Sequence, residues 1–247
     1  MKAALLLLWT AAALAQAPVL VAHRGGIVEG IPENTLAAFK AAAAAGVEVI
    51  EVDLRATRDG AIVILHDPTL DRTTNGRGPL QDHTLAQVRA LDAGNGERIP
   101  LFEEVLDFAR QARVKLLLDI KEAPGLDKRR VVRMIEERGA LLDVIVGPRN
   151  LDDLREFQRL NPNLRTLGFI PTPADIEAFA AAGVHIVRLW PQWIEKDPAL
   201  IARVHKTGRP VWVTAGDAPR ADLERLLKLG VNGLLADRPA VLAALAR

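Results

Sequence analysis

The sequence predicts an α/β fold, a (β/α)8 TIM barrel with a small cap inserted after a hairpin arm of its second strand. Three observations carry this. Short apolar runs rich in β-branched residues alternate with amphipathic helical stretches, the pattern of a parallel sheet with helices packed outside it. Once one run is set aside as a hairpin arm, eight strand–helix units remain. The 247 residues, less a 15-residue leader, leave 232, and a barrel of this kind consumes nearly all of that. A doubly wound open sheet is the competing architecture, but no glycine-rich dinucleotide fingerprint follows the first strand.

The chain begins with Lys2, an apolar run of Leu, Ala and Trp from Ala3 to Ala12, and Ala13-Leu14-Ala15, a small-x-small cleavage site. Residues 1–15 read as a signal peptide and residues 16–247 as one domain of a periplasmic or secreted protein beginning at Gln16. An N-terminal helix that stays attached is the plainer alternative. Strands are expected at 19–23, 48–54, 61–66, 115–120, 143–147, 165–170, 185–190, 210–214 and 233–236. Only a short turn through Asp59-Gly60 separates the second and third, too little for a helical crossover, so 61–66 is the antiparallel arm. Asn34 reads as the cap that starts the first helix and Gly46 as its left-handed stop. Asn150, Thr172 and Asp197 read as later helix starts, with Pro173 and Pro198 at first helical positions and the last helix beginning at Arg238-Pro239. The surplus from Pro68 to Arg98, rich in Gly, Asp, Asn and Thr with one helical piece near Leu85 to Leu91, reads as a cap over the strand C-termini.

Composition narrows the function classes. Lys and Arg total 32 and Asp and Glu 31, and loss of Lys2 with the leader leaves 31 of each. That balance provides no general electrostatic footprint for nucleic acid or an acidic membrane surface. No cysteine is present, which excludes a lipid-anchored bacterial lipoprotein and any disulfide framework. No second long apolar stretch follows the leader, so no integral membrane segment is expected after its removal. Nothing in the sequence sets an oligomeric state.

In such a barrel, chemistry sits at the C-terminal ends of the strands, and the polar residues concentrate there. The first strand ends in His23-Arg24, the second carries Glu51 and Asp53, its arm ends in His66-Asp67, and the next ends in Asp119-Ile120-Lys121. The strand period of two puts Glu51 and Asp53 on one face. Three carboxylates facing one mouth repel unless a cation or proton sits among them. Without cysteine or a third nearby histidine, this oxygen set suits a hard divalent ion such as Mg²⁺ or Ca²⁺ over Zn²⁺. The alternative is a salt-bridge network with Arg24 and Lys121. His23 and His66 end apolar strands where a general acid and base would meet a ligand. Arg24 is placed to grip a phosphate or to pair with Glu33 or Asp53. His83, His185 and His205 receive no role.

At these residues the sequence resembles the glycerophosphodiester phosphodiesterase family. The matching stretches are His23-Arg24-Gly25, Pro32 to Thr35, Glu51-Val52-Asp53, Asp59-Gly60, His66-Asp67, Ile99 to Leu106, Asp119-Ile120-Lys121 and Gly230 to Pro239. The resemblance implies that Glu51 and Asp53 bind a divalent metal with Asp119 as third carboxylate. It also implies that His23 and His66 are the acid–base pair and that Arg24 and Lys121 contact the phosphate. The implied substrate is a small glycerophosphodiester, such as the choline or ethanolamine ester, cleaved to glycerol 3-phosphate and an alcohol. Attack by a neighbouring substrate hydroxyl through a cyclic phosphate stays open. So do a lysophospholipid substrate, which would want a wide apolar mouth, and a non-catalytic barrel that binds glycerophosphodiesters.

Three departures from the family pattern stand out. Position 119 is Asp where Glu is usual, the fourth barrel strand ends Val146-Gly147-Pro148-Arg149 instead of Ser-Phe, and the asparagine usual after Trp212 is missing. The last two are expected to shape the alcohol side of the pocket. Trp190, Trp193 and Trp212 are candidates to line it, with the core as the alternative place for each.

Overall fold

The computed structural model describes residues 17–121 and 125–245, and the expected leader lies outside them. The nine expected strands form a single sheet: β1 (Val19–Ala22), β2 (Val49–Ala56), β3 (Ile62–Ile64), β4 (Lys115–Ile120), β5 (Val144–Gly147), β6 (Arg165–Gly168), β7 (Ile186–Leu189), β8 (Val211–Gly216) and β9 (Gly233–Ala236). Strand β1 pairs in parallel with β2 on one side, Val21 opposite Val49, and with β9 on the other, Ala22 opposite Ala236. That double pairing closes the barrel and excludes the open sheet. Strand β3 runs antiparallel to β2, Leu54 opposite Ile64, as the short turn before it requires.

The helices between strands are α1 (Leu36–Ala44), α2 (Leu85–Arg89), α3 (Phe102–Ala112), α4 (Lys128–Glu137), α5 (Leu151–Leu160), α6 (Ile176–Ala181), α7 (Pro191–Lys196), α8 (Ala199–Lys206), α9 (Arg220–Lys228) and α10 (Pro239–Leu245). No helix among the described residues is long and apolar enough to cross a membrane. In α3 the buried Phe102, Val105, Leu106 and Ala109 recur at helical spacing and face the sheet, with Glu103, Asp107 and Arg110 turned outward. Such stripes and the outward residues of the strands make the larger core, between barrel and helices. A second core fills the barrel interior with Val21, Val49, Leu117, Ile145, Leu167, Ile186, Trp212 and Leu235. Trp212 is therefore core and not pocket lining. It occupies the space that a side chain at Gly233 would need, and an added Cβ there would stand 2.7 Å from the indole.

Two helix starts differ from expectation, those of α1 and α8. Thr35, not Asn34, caps α1, its side chain accepting from the Ala38 N–H at 3.2 Å. Asn34 instead adopts a left-handed backbone, φ 56°, and turns its amide into the barrel mouth. Gly46 follows α1 at φ +88°, the left-handed stop expected. Asn150 caps α5 by accepting from Asp153 N–H, Thr172 opens the short turn before α6, and Asp197 accepts from Ala199 N–H at the start of α8. Pro198 stands at the cap of α8, one place before its first helical residue.

The insertion after β3 carries α2, slightly shorter than expected. It has its own apolar cluster, Leu70, Leu80, Val88 and Ala93, packed on Val63 and Leu65 of the hairpin arm. It therefore rests beside the mouth on that arm, and Arg72 reaches the site residues from it.

Candidate active site

Alternation along the strands builds the site. Above the apolar inner layer, the next inward positions are His23 after Val21, Glu51 and Asp53 after Val49, Asp119 after Leu117, Arg188 after Ile186 and Asp237 after Leu235. All six lie on or just beyond strands whose C-terminal ends meet at one mouth. Because Ala22 stands opposite Ala236 in the parallel ladder, the following residues, His23 and Asp237, are neighbours. Because Asp53 stands opposite Asp119, two carboxylates are forced side by side.

The β1 end reverses sharply. Arg24 has φ 55°, and Gly25 and Gly26 follow at φ +80° and +92°. A Cβ at Gly25 would lie 2.8 Å from Ala38 and Phe39, and one at Gly26 would overlap Pro239. The turn aims the Arg24 N–H at Glu51 Oε2, 2.9 Å away. The Arg24 guanidinium pairs with Glu33 at 3.0 Å and lies 3.6 Å from Asp53.

Each histidine is held by a carboxylate. His23 Nδ1 is 2.6 Å from Asp237 Oδ1, and His66 Nδ1 is 2.6 Å from Asp67 Oδ1. A carboxylate accepts only, so Nδ1 carries the proton in both rings and Nε2 is the basic atom of the neutral form. His23 Nε2 lies 4.0 Å from Glu51 Oε2. Burial opposes charge on His23, but the Asp237 hydrogen bond and the Glu51 charge outweigh it and raise its pKa. Burial and Lys121 push His66 below its ordinary value, against the bond from Asp67. Arg72 grips Asp67 through Nε at 2.6 Å and Glu33 through Nη2 at 2.7 Å, linking His66 to Arg24 around the rim. Sequence reading missed Arg72, since nothing local in the insertion marks it.

The carboxylate trio is brought together as expected. Glu51, Asp53 and Asp119 each offer an oxygen within 4.8 Å of the others, and all three are buried, Glu51 and Asp53 to 1% and 0% exposure. The salt-bridge alternative is realised in part. Lys121 Nζ lies 2.6 Å from Asp119 and 2.8 Å from Asp53, and Arg149 makes a two-pronged contact to Asp119 at 2.9 and 2.6 Å. Asn34 donates to Asp53 Oδ2 at 2.7 Å. Asp53 Oδ1 is the oxygen that faces Lys121 Nζ, so this buried carboxylate is held by one ammonium and one amide. Glu51 is held well above the carboxylate range by burial first and then by Asp53, while Lys121 holds Asp53 low against its own burial. Three buried carboxylates whose oxygens converge in this way fit a hard divalent cation. Asp119 fits less freely, since both its oxygens already serve Arg149 and Lys121.

The mouth is lined by His23, Arg24, Glu51, His66, Asp119, Lys121 and, on the far side, Arg149, Phe169, Arg188, Trp190 and Thr214. Residues 23–241 match the glycerophosphoryl diester phosphodiesterase family. This chain belongs to that family. It is 33% identical over 241 residues to a glycerophosphodiester phosphodiesterase of Caldanaerobacter subterraneus subsp. tengcongensis, covering 93% of this chain and 98% of the relative. A Bacillus subtilis glycerophosphodiester phosphodiesterase is 28% identical, covering 89% of this chain and 83% of that one. The fold resembles the glycerophosphodiester phosphodiesterase of Agrobacterium tumefaciens, with TM-score 0.78 and 26% identity over 92% of this chain and 99% of the other. It also resembles one from Parabacteroides distasonis, with TM-score 0.81 and 26% identity over 94% and 87%. The phosphodiesterase is thus an enzyme of a metal-dependent family, with an acidic cluster where a metal can be held.

Two further members of this phosphodiesterase's site were not singled out from sequence. Asp237 appeared only inside a matching stretch and Arg188 not at all. Both follow from counting two residues beyond the inner apolar position of their strands, a parity that becomes usable once the inward face of each strand is known.

Proposed function

We propose that this phosphodiesterase hydrolyses small glycerophosphodiesters, such as the choline and ethanolamine esters, to glycerol 3-phosphate and the free alcohol. The observation that carries this reading is the pair of carboxylate-held histidines, His23 and His66, facing one mouth that also contains the Glu51, Asp53 and Asp119 trio. Hydrolysis of a phosphodiester needs a nucleophile relieved of its proton, a protonated leaving oxygen and neutralised phosphoryl charge. Nε2 of one histidine takes a proton from the attacking water as its oxygen bonds to phosphorus. Nε2 of the other gives one to the departing alkoxide as the P–O bond to the alcohol breaks. Where a neighbouring substrate hydroxyl attacks first, the same water step opens the cyclic phosphate. Asp237 and Asp67 keep both rings in the tautomer that this transfer uses, and support the charged ring once it forms. Arg24 and Lys121 contact the phosphate, whose charge they meet while remaining tied to Glu33, Asp53 and Asp119.

Glu51, Asp53 and Asp119 would hold a divalent cation, Mg²⁺ or Ca²⁺. Bound there, it would supply positive charge to the phosphoryl oxygens. Apart from Phe169, Trp190 and Leu235, the mouth is polar or ionic, which favours a small glycerophosphodiester over one carrying an acyl chain.

The deciding experiment is release of glycerol 3-phosphate from glycerophosphocholine and glycerophosphoethanolamine by protein stripped with chelator and then given Mg²⁺ or Ca²⁺ separately. Activity restored by one ion supports the reading. No product with either ion and either ester rejects it. The leader at residues 1–15 is proposed to direct export, with N-terminal sequencing of the exported protein expected to begin at Gln16. An unprocessed Met1 in the cytoplasmic fraction would reject export.

A further inference from the structure

Arg188 stands on β7, the sixth barrel strand, and so across the barrel from β2, which carries Glu51 and Asp53. It is 2% exposed, yet its Nε and Nη1 have no hydrogen-bond partner among the described residues. The other cations of the mouth are all paired: Arg24 with Glu33, Lys121 with Asp53 and Asp119, Arg149 with Asp119. Aromatic faces hold Arg188 in position, with its Cζ 3.9 Å from the Trp190 ring centre and 5.1 Å from that of Phe169. The same Phe169 ring is 5.3 Å from Arg149, so two guanidinium groups flank one phenyl ring beside the cavity. Rings stabilise a cation through their faces but accept no N–H hydrogen bonds of ordinary strength. A buried guanidinium left this way is costly, and among the described residues no carboxylate pairs with it, Asp119 easing its charge only from a longer range. Burial, and then the neighbouring Arg149, disfavour its charge and push its pKa down to about 9.

We propose that Arg188, with Arg149 beside it, is an anion-binding subsite for a second negative group on the alcohol half of the substrate, a carboxylate or a phosphate. The proposal rests on the hydrolase reading above, and it changes the preferred ester. With phosphorus near the carboxylates and histidines of the first three barrel strands, the alcohol extends toward the fourth to sixth. There it meets a net positive wall, which repels a choline or ethanolamine ammonium and attracts an acidic group. The planar fork of Arg188 suits two-pronged contact with carboxylate or phosphate oxygens, and its positioning by Trp190 and Phe169 lowers the ordering cost.

The test compares glycerophosphoserine with glycerophosphoethanolamine, two esters that differ by one carboxylate. A charge-assisted contact to a guanidinium predicts kcat/KM higher by about tenfold or more for the serine ester. In Arg188→Met that ratio falls toward one, mainly through KM for the serine ester. The substitution replaces a buried cation by an apolar side chain of similar length, which buried sites commonly tolerate. Arg188→Lys, which keeps the charge without the fork, retains part of the preference and serves if the Met variant fails to fold. A wild-type ratio of one or below overturns the proposal. Equal loss for both esters in a folded Arg188→Met also overturns it, since Arg188 would then serve the shared phosphate or the fold. Calorimetric binding of both esters to chelator-treated protein keeps the subsite testable apart from turnover. Tighter binding of the serine ester, with no hydrolysis once Mg²⁺ or Ca²⁺ is restored, supports the subsite and rejects the hydrolase reading, whereas equal binding rejects the subsite.

Discussion

Asp237→Asn is the substitution that tests most directly how the barrel prepares His23. The carboxylate lies 2.6 Å from Nδ1 and is partly shielded from water. Asn keeps the shape and leaves an oxygen able to accept from Nδ1, but the negative charge is lost. A hydrogen bond to a charged partner contributes about 1.5–3 kcal/mol and a neutral one roughly half of that, so the amide forfeits about 0.75–1.5 kcal/mol. If His23 is charged during transfer of the proton, that amount raises the barrier and slows kcat about 4- to 13-fold. KM should change little, because Asp237 meets the ring and not the ligand. The same change removes one of the two influences that raise the His23 pKa, so the imidazole titration followed by NMR should move down. Stability carries a matching sign. A histidine with a raised folded pKa stabilises the protein fully below its ordinary value of 6.5 and loses that contribution as pH rises through the folded value. Asp237→Asn should therefore lose more stability at pH 5 than at pH 9. Unchanged kcat in a folded Asp237→Asn protein, with the His23 titration unmoved, would refute the positioning argument.

Three other outcomes are expected. His23→Ala and His66→Ala should each lower kcat by roughly 10²–10⁴ while retaining the wild-type circular dichroism spectrum, and near-normal turnover in either would remove that ring from the chemistry. Divalent-cation affinity should weaken as pH falls below about 8, because burial and Asp53 hold Glu51 protonated up to that value and the cation must displace the proton. Calorimetry at pH 7 in buffers of different ionisation heat should then report about one proton released per ion, and none released would place the cation elsewhere. Asn34→Ala should destabilise the fold by about 2–4 kcal/mol, from a buried donor lost to Asp53 and a left-handed backbone that Ala tolerates poorly. Thermal melting should show this as a fall of roughly 5–15 °C, and an unchanged melt would mean that water replaces the amide.

The sequence by itself determined the alternation of strands and helices, because burial on both faces of a parallel strand demands short apolar runs that stand apart from the amphipathic helices. It also determined which segment held most of the chemistry, since His23, Arg24, Glu51, Asp53 and His66 lie at ends of apolar runs where a charged group has no place in a core. Tertiary structure decided what those residues touch. Asn34 looked like a helix cap because its neighbours gave it that local role, and only the closeness of Asp53 across the β1 turn gave its amide a different partner. Trp212 looked available to the pocket until the barrel closed and Gly233 left room for its ring inside. Arg149, Arg188 and Asp237 lie far along the chain from the residues they face, and nothing in the spacing of sequence encodes a distance across a barrel. Closure of β9 onto β1 set His23 against Asp237, and the circular order of strands placed an unpaired guanidinium opposite the carboxylates, because a side chain's partner is fixed by register and strand order together.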